Sequence, residues 1–464
     1  MSSILIHDAK YVITVDPGRR IIKDGTVAVV DGEVVAVGKT DQVRRAYPSA
    51  EIRIDARRMV ATPGLVDAHF HLTEQLLRGQ ADGVFLPTAV SGRHWRHESV
   101  LTSDDVYNSA RAALLEAIKN GTTLVADPGG YHMDRVATAV EEMGVRAVLS
   151  RSLIDIHSFT SPVPENLRET SETALAKGEE FVRQYDRRFN GRLRAWFSLR
   201  TERSTTSQLA QKVKEKADAL GVGVLSHMTS TRLWIDFHKE LFRGKRPIER
   251  YYESGVMGPN LLLLHVNWIN DEEIGYVKET GTKIQHTPGT SAHAGLGGFK
   301  VGRFAEMMRK GIPVCLGHDG AAESNFADMV RVMFMVTVHR DIALDPTLFP
   351  PETILEMATI NGAKCLLQEK ATGSIEVGKR ADIILFNTKR PEWTPVLNPV
   401  SNLVHSACGD SVDTCIVDGK ILMQDRRVTV CDEQEVLERA QNSAEEVLSR
   451  SGMQDTVAPL WPVE

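Results

Sequence analysis

Two histidines near residue 70, His69 and His71, have the type and spacing of a metal chelate. They end a short apolar run, and in an extended strand residues i and i+2 point to the same side. A third nitrogen from His227 and a carboxylate oxygen from Asp319 would complete a catalytic site with one position open for water. A metal held there would lower the pKa of its water and supply hydroxide near neutral pH.

The strands and helices that must position these side chains alternate regularly along the sequence. Short apolar runs alternate with helical stretches, the pattern expected of parallel strands joined by crossover helices. The eight runs span residues 60–71, 122–127, 145–153, 193–201, 221–227, 261–268, 282–286 and 312–319. Eight strand-helix units over roughly 250 residues predict a (β/α)8 TIM barrel, an α/β fold whose catalytic groups lie at the C-terminal ends of the strands.

Five of the eight runs end in potential ligands. A single histidine at such a position is more often a core or loop residue than a ligand. Because the strand ends of a barrel meet at one rim, however, five such ends predict a shared polar site. The residues are His69 with His71, His227, His265, His286 and Asp319.

The two ends of the chain have a different sequence pattern, which predicts short strands joined by D-G turns at Asp31-Gly32 and Asp418-Gly419. We expect them to form one small β-sandwich domain from residues 1–58 and 372–430. The barrel would then span residues 59–371, and residues 431–464 would form a C-terminal helix and tail.

Composition excludes several classes of protein. The net charge is −6, without a basic stripe for nucleic acid, and no apolar run approaches the roughly 20 residues of a membrane span. Five scattered cysteines without C-x-x-C spacing indicate neither a disulfide framework nor a zinc knot. We expect a cytoplasmic protein, a homo-oligomer, with a small-molecule substrate and no nucleic-acid or membrane partner.

Several segments resemble the amidohydrolase superfamily. Residues 63–71 (PGLVDAHFH) are similar to its first-strand signature, and residues 316–320 (LGHDG) to its eighth-strand aspartate motif. Residues 357–363 (MATINGA), 373–375 (GSI) and 378–382 (GKRAD) resemble its C-terminal return to the β domain. The likeness covers nearly the whole chain and implies the barrel and the metal site described above.

Within the superfamily, residues 75–79 (QLLRG) resemble the branch of triazine hydrolases and purine or pyrimidine deaminases. That branch implies one divalent metal ion, with zinc expected and cobalt or iron as alternatives. The fourth run, residues 193–201, lacks the lysine that is carboxylated in binuclear members. The resemblance therefore implies a mononuclear site.

One departure from the deaminase pattern bears on function. Deaminases of this branch place a glutamate three residues after the fifth-strand histidine to carry protons to the ring, whereas Ser230 stands here after His227. Asp319 and His265 remain as catalytic acid and base candidates. The absence of this glutamate favours a substrate in which hydroxide attacks a carbonyl directly. The whole sequence also looks similar to bacterial phenylurea hydrolases and molinate (thiocarbamate) hydrolase.

We therefore expect a metal-dependent hydrolase that cleaves the carbonyl C–N bond of aryl ureas, such as phenylurea herbicides, or of related carbamates and amides. A thiocarbamate hydrolase is one alternative, and a heterocycle aminohydrolase or dechlorinase is another. A non-catalytic barrel that binds a small molecule is the alternative from a different class.

Substrate contacts are expected from side chains around the rim. They are Gln75, Trp95, Arg203, Asn267 and His286. Trp95 belongs to a loop with aromatic residues that could hold an aryl group, although packing against the next helix would also explain it. Arg203 follows the fourth run, where the superfamily often places a substrate-contacting residue, and a salt-linked loop is the alternative.

Overall fold

Eight parallel strands form the centre of the computed structural model, which describes residues 2–157, 162–457 and 461. They neighbour one another in chain order, as expected of repeated strand-helix units. The strands are Leu65–Asp67, Thr122–Asp127, Arg146–Leu153, Leu193–Thr201, Val224–Met228, Leu261–His265, Lys283–His286 and Val314–Leu316. The predicted barrel is confirmed.

The first and eighth strands bring the barrel close to full closure. The Ala68 amide donates to the Leu316 carbonyl at 3.0 Å, and the Asp319 amide donates to the His69 carbonyl at 2.8 Å. Just beyond, the short strands Phe70–His71 and Asp319–Gly320 pair in parallel. This seam places three of the four predicted metal ligands side by side.

The barrel strands are buried on both faces, which explains their unbroken apolar sequences. In the sixth strand, all four leucines from Leu261 to Leu264 have no exposed surface. Helices surround the barrel. The longer ones are Ser103–Lys119, Met133–Met143, Ser171–Tyr185, Ser207–Leu220, Arg232–Leu241, Asp271–Thr280 and Met329–Val336; shorter ones include Pro247–Glu253, Pro288–His293, Phe304–Arg309, Val338–Ala343, Pro351–Met357, Ile360–Cys365 and Pro399–His405.

Both chain ends contribute to a single nine-stranded sheet. In spatial order its strands are Arg427–Val428, Lys420–Gln424, Val412–Val417, Ile383–Asn387, Met59–Pro63, Ser3–Ile13, Ile21–Val30 and Glu33–Lys39, with Ile52–Asp55 beside Ser3–Ile13. One part of the first predicted barrel run was wrong. Residues 59–63 pair in this end sheet, because the chain leaves the sheet before it enters the barrel.

The two D-G turns of the end sheet have the geometry that their residues favour. Asp31 and Gly32 have φ values of 49° and 80°, and Asp418 and Gly419 have 54° and 74°. Positive φ at both central residues is typical of the tight hairpin turn whose twist matches the strands. The predicted hairpins are therefore present at both ends of the chain.

The C-terminal segment forms the expected helix, Glu433–Ser451. It packs on the barrel helix Ser103–Lys119, where the Asn108 amide donates to Ser443 Oγ at 2.9 Å and Arg111 pairs with Glu435 at 3.1 Å. Residues 458–460 and 462–464 of the predicted tail lie outside the described residues. Among the described helices, none has the length and apolar character to cross a membrane.

Candidate active site

Four side chains predicted as metal ligands meet at the C-terminal rim of the barrel. His71 Nε2 lies 3.2 Å from both His69 Nε2 and His227 Nε2. Asp319 Oδ1 lies 3.2 Å from His69 Nε2 and 3.4 Å from His71 Nε2. Three nitrogens and one carboxylate oxygen therefore surround a common point.

The spacing of these atoms fits a metal ion. Ligands about 2.0–2.1 Å from a tetrahedral zinc lie about 3.3 Å from one another. A neutral His71 has at most one proton on Nε2, so without a cation it could donate to only one of its three neighbours, His69 Nε2, His227 Nε2 and Asp319 Oδ1, at a time. The donor set of three histidines and one aspartate suits a divalent transition metal.

Hydrogen bonds to the other ring nitrogens orient two of these histidines. Gln285 Nε2 donates to the His286 carbonyl at 2.7 Å, which leaves its Oε1 to accept from His69 Nδ1 at 3.3 Å. His227 Nδ1 donates to the Arg200 carbonyl at 2.5 Å. With Nδ1 protonated, each Nε2 presents its lone pair to the shared point, as metal-bound histidines usually do.

Burial keeps the site histidines neutral, which is the form that binds metal. It lowers the pKa of His69 to about 3, and it holds the pKa values of His71 and His227 well below the usual range. Burial also raises the pKa of Asp319, although His265 and the Thr290 hydroxyl oppose this. A cation beside Asp319 would favour its ionised form.

His265 lies next to this set without being part of it. Its Nε2 is 3.7 Å from Asp319 Oδ2, and its Nδ1 is 2.8 Å from the Thr287 hydroxyl. His265 and Asp319 have φ values of 70° and 83°, a conformation uncommon outside glycine. Strain of this kind concentrates at functional sites, and here it directs both side chains into the same cavity.

The cavity above the ligands has apolar walls and a polar floor. Leu86, Val90, Trp95, Val163, Trp234 and Leu296 line the walls, and His265 and Asp319 lie at the floor. The Arg200 guanidinium lies 4.2 Å from the Trp95 ring centre, and that of Arg203 lies 3.5 Å from the Trp234 ring centre. Such walls suit a flat ring with a few polar groups.

Two of the five predicted substrate contacts, Trp95 and Arg203, line this cavity. The other three point elsewhere within the described structure. Gln75 donates to Glu116 Oε2 at 2.9 Å, Asn267 donates to the Ser230 carbonyl at 3.1 Å, and His286 stacks on Phe304 with its Nε2 3.1 Å from His339 Nε2. Sequence position at a strand end did not reveal which way each side chain turns.

The structure adds cavity residues that sequence reasoning missed or gave no partner. Glu323, four residues after Asp319, pairs with His94, and Glu74 lies beside them. Burial raises the pKa of Glu323 to about 8 and that of Glu74 well above its usual value. Their positions three residues after His71 and four residues after Asp319 were the available signal, but only the fold brings in His94.

Comparison with known proteins decides the family. The family model described as "Amidohydrolase family" matches residues 60–422. The chain belongs to the amidohydrolase family. The barrel, the four converging ligands and this match together make it a metal-dependent hydrolase that acts on C–N bonds.

Curated relatives of this amidohydrolase are named as deaminases. The 5'-deoxyadenosine deaminase of Methanosarcina mazei is 37% identical over 452 residues, covering 97% of this chain and 99% of that one. The 5-methylthioadenosine/S-adenosylhomocysteine deaminase of Desulforudis audaxviator is 36% identical, covering 91% and 95%. The expected likeness to phenylurea and molinate hydrolases is not supported by these relatives.

Solved structures agree on the fold. An adenosine deaminase from Xanthomonas campestris with bound zinc has a TM-score of 0.89 at 24% identity, covering 97% of this chain and 99% of that one. An atrazine chlorohydrolase of Arthrobacter aurescens, complexed with zinc, has a TM-score of 0.86 at 24% identity, covering 95% of this chain and 100% of that one. At this identity the likeness establishes architecture only.

Proposed function

We propose that this amidohydrolase is a deaminase that removes the exocyclic amino group of an adenine-type nucleoside. The observation that carries the proposal is the set of relatives named adenosine-type deaminases at 35–37% identity over nearly the full chain. The main expectation from sequence, hydrolysis of an aryl urea, gives way to the alternative of a heterocycle aminohydrolase.

The reaction adds water to the ring carbon that bears the amino group, breaks the C–N bond, and yields an oxo heterocycle and ammonia. A metal held by His69, His71, His227 and Asp319, with zinc as our proposal, would activate the water. Asp319 Oδ2 accepts a hydrogen bond from the Thr290 hydroxyl at 3.1 Å, and its second lone pair could accept a proton from that water. His265, 3.7 Å from this oxygen, is placed to pass a proton to the leaving amine.

The cavity walls suit the proposed substrate. Trp95 and Trp234 line the cavity with aromatic surface for a purine ring, and each indole lies against the guanidinium of a largely buried arginine, Arg200 and Arg203 respectively. Arg200 is itself fixed by Glu98, with contacts of 2.9 Å and 2.5 Å to its carboxylate oxygens. The walls are therefore preorganised before a substrate enters.

A second candidate, hydrolysis of a urea, carbamate or thiocarbamate, is favoured by one observation. Ser230 lines the cavity at the position where deaminases of this branch carry a glutamate. A serine hydroxyl does not protonate a ring nitrogen as readily as a carboxylic acid. Attack on the carbonyl of a urea or carbamate needs no proton on a ring nitrogen, so the substrate panel described below includes these compounds.

Product analysis on a substrate panel separates the two candidates. The zinc-loaded enzyme should release ammonia from 5'-deoxyadenosine, 5'-methylthioadenosine, S-adenosylhomocysteine or adenosine, with the matching oxo product seen by mass spectrometry. Phenylureas and thiocarbamates should give no amine. His69→Ala is the matched control, because it removes a metal ligand and should abolish both metal binding and turnover.

Release of an aniline from a phenylurea, without ammonia from any of the nucleosides, would contradict the proposal and support the second candidate. Ammonia from triazines or pyrimidines alone would retain the aminohydrolase class but exclude the nucleoside.

A further inference from the structure

A second group of ligand-type side chains lies in the wall of the same cavity. Glu74, His94 and Glu323 each place a ligand atom within 4.8 Å of the other two, and we name them the wall cluster. All three are buried, with exposures of 4%, 5% and 9%. All three also line the cavity, so a small ion from solvent can reach them.

The carboxylates of the wall cluster are poorly satisfied. Glu323 Oε1 contacts His94 Nε2, but within the described structure the Oε2 atoms of Glu74 and Glu323 have no hydrogen-bond partner apart from each other's carboxyl group. A Cβ built on Gly320 would overlap both of these atoms, which shows that they converge on the same small volume. Two unpaired carboxylate oxygens that face each other in a buried wall repel strongly unless a cation or a proton lies between them.

The neighbouring basic side chains do not provide that cation. Arg200 is paired with Glu98, and Arg203 is paired with Glu202. In the described ranges, the ion pairs of the wall cluster involve only histidines: His94 with Glu323, and His71, whose Nδ1 is 4.0 Å from Glu74 Oε1. The cluster therefore has an excess of acceptors and no strong positive partner.

We propose that the wall cluster binds a second divalent metal ion, distinct from the ion held by His69, His71, His227 and Asp319. The donor set would be one oxygen from each carboxylate and one imidazole nitrogen, with the remaining positions open to water. Mixed carboxylate and imidazole ligands suit a first-row ion such as Mn²⁺ or Zn²⁺. The site uses no lysine and is independent of which substrate the enzyme turns over.

Metal counting on the zinc-loaded enzyme tests this site directly. The wild-type protein, carrying one zinc per chain, is titrated with Mn²⁺ while free Mn²⁺ is followed by electron paramagnetic resonance. Zinc and manganese are then counted in the desalted protein. We expect the chain to take up one Mn²⁺ while it keeps its zinc.

Two amide variants assign the uptake to the wall cluster. Glu323→Gln and Glu74→Gln keep the side-chain shape but remove a charged ligand. Each should weaken Mn²⁺ binding by at least the roughly 10–100-fold that loss of an outer-sphere partner costs. Each should also retain one zinc, which reports that the barrel and the first site are folded.

Asp82→Asn is the matched control, because Asp82 also pairs with a histidine, His293 at 2.9 Å, but on the exposed surface. Its Mn²⁺ uptake should equal that of the wild type. If the wild type takes up no Mn²⁺ beyond its zinc, or only by displacing zinc, a proton shared by the two glutamates replaces the metal and the proposal fails. Unchanged Mn²⁺ binding in both amide variants would overturn it equally.

Discussion

At the scale of single residues, the site depends on the tautomer of each histidine and on the orientation of its ring. His69 and His227 are held as Nε2 acceptors by bonds from Nδ1, whereas His265 bonds to Thr287 and lies beside Asp319. The same residue type therefore serves two purposes. Ligand histidines need a lone pair toward the metal, and a proton-transfer histidine needs a carboxylate neighbour.

Because His265 is proposed to transfer a proton and not to bind the metal, the effects of His265→Asn on turnover and on zinc content should differ. Turnover should fall by about 10²–10⁴-fold, because a general acid-base group is lost, while zinc content stays at the wild-type value. Steady-state kinetics and metal analysis on the same sample check both parts. His293→Asn, which changes a partly buried histidine that does not line the cavity, should leave kcat unaltered. Loss of zinc from the His265 variant would instead make this residue a ligand.

At the scale of elements, the first and eighth strands approach so closely that one position must be glycine. A Cβ on Gly317 would lie 2.7 Å from the His69 amide nitrogen and 2.8 Å from both His69 Cβ and Gln285 Nε2. Two of these atoms are the backbone nitrogen and Cβ of His69, and the third, Gln285 Nε2, is held by its hydrogen bond to the His286 carbonyl at 2.7 Å. The strand seam therefore sets the position of the first ligand and of the amide that orients it.

Gly317→Ala should displace His69 and lower zinc affinity, with a loss of stability of about 1–3 kcal/mol from overpacking. Equilibrium unfolding in urea and zinc titration measure the two effects. Gly275→Ala is the matched control, since Gly275 lies in the helix Asp271–Thr280 with nothing near its Cβ position. That change should stabilise the protein by about 0.5–1 kcal/mol. A Gly317 variant with wild-type zinc affinity would contradict this account of the seam.

At the scale of the whole molecule, a buried ion pair joins the barrel to the end sheet. Arg146, at the start of the third barrel strand, contacts Asp382 at 2.7 Å and Asp418 at 3.3 Å, and both Arg146 and Asp382 are almost fully buried. Burial would raise the pKa of Asp382, but the charge and hydrogen bonds of Arg146 outweigh it and hold that pKa below the usual value. The pair therefore fixes the two parts together while both groups remain charged.

Asp382→Asn should lower the free energy of unfolding by about 3 kcal/mol at neutral pH, the low end of the range for breaking a buried pair, because the buried Arg146 would keep only its longer contact to Asp418. The Asp382 carboxylate stabilises the fold above its unfolded pKa, and this contribution is lost as pH falls through its folded pKa. The difference in free energy of unfolding between the variant and the wild type should therefore become smaller at acidic pH. Urea unfolding at several pH values measures it.

Glu356→Gln provides the comparison at the surface, since its partner Arg19 is largely exposed. The expected change is about 0–1 kcal/mol. If Asp382→Asn and Glu356→Gln lowered the free energy of unfolding equally, the buried pair of Arg146 and Asp382 would not be what joins the barrel to the end sheet.

The sequence by itself predicted the eight barrel strands and the β character of both ends, and it proposed the four candidate metal ligands that the fold brings together. These follow from local patterns: strands buried on both sides are uniformly apolar, D-G turns favour positive φ, and the ligands end strands that all meet at one rim. The pairing of residues 59–63 with the end sheet was missed, because an apolar strand does not reveal its partner.

Only the tertiary structure decided which rim residues face the cavity. Gln75, Asn267 and His286 have suitable chemistry but turn to other partners. Glu74 and Glu323 instead converge with His94, which lies in a helical segment after the first strand. Side-chain direction and contacts between segments more than 200 residues apart depend on packing of the whole barrel. Sequence spacing therefore proposed the residues of the first candidate metal site, whereas only the fold revealed the wall cluster.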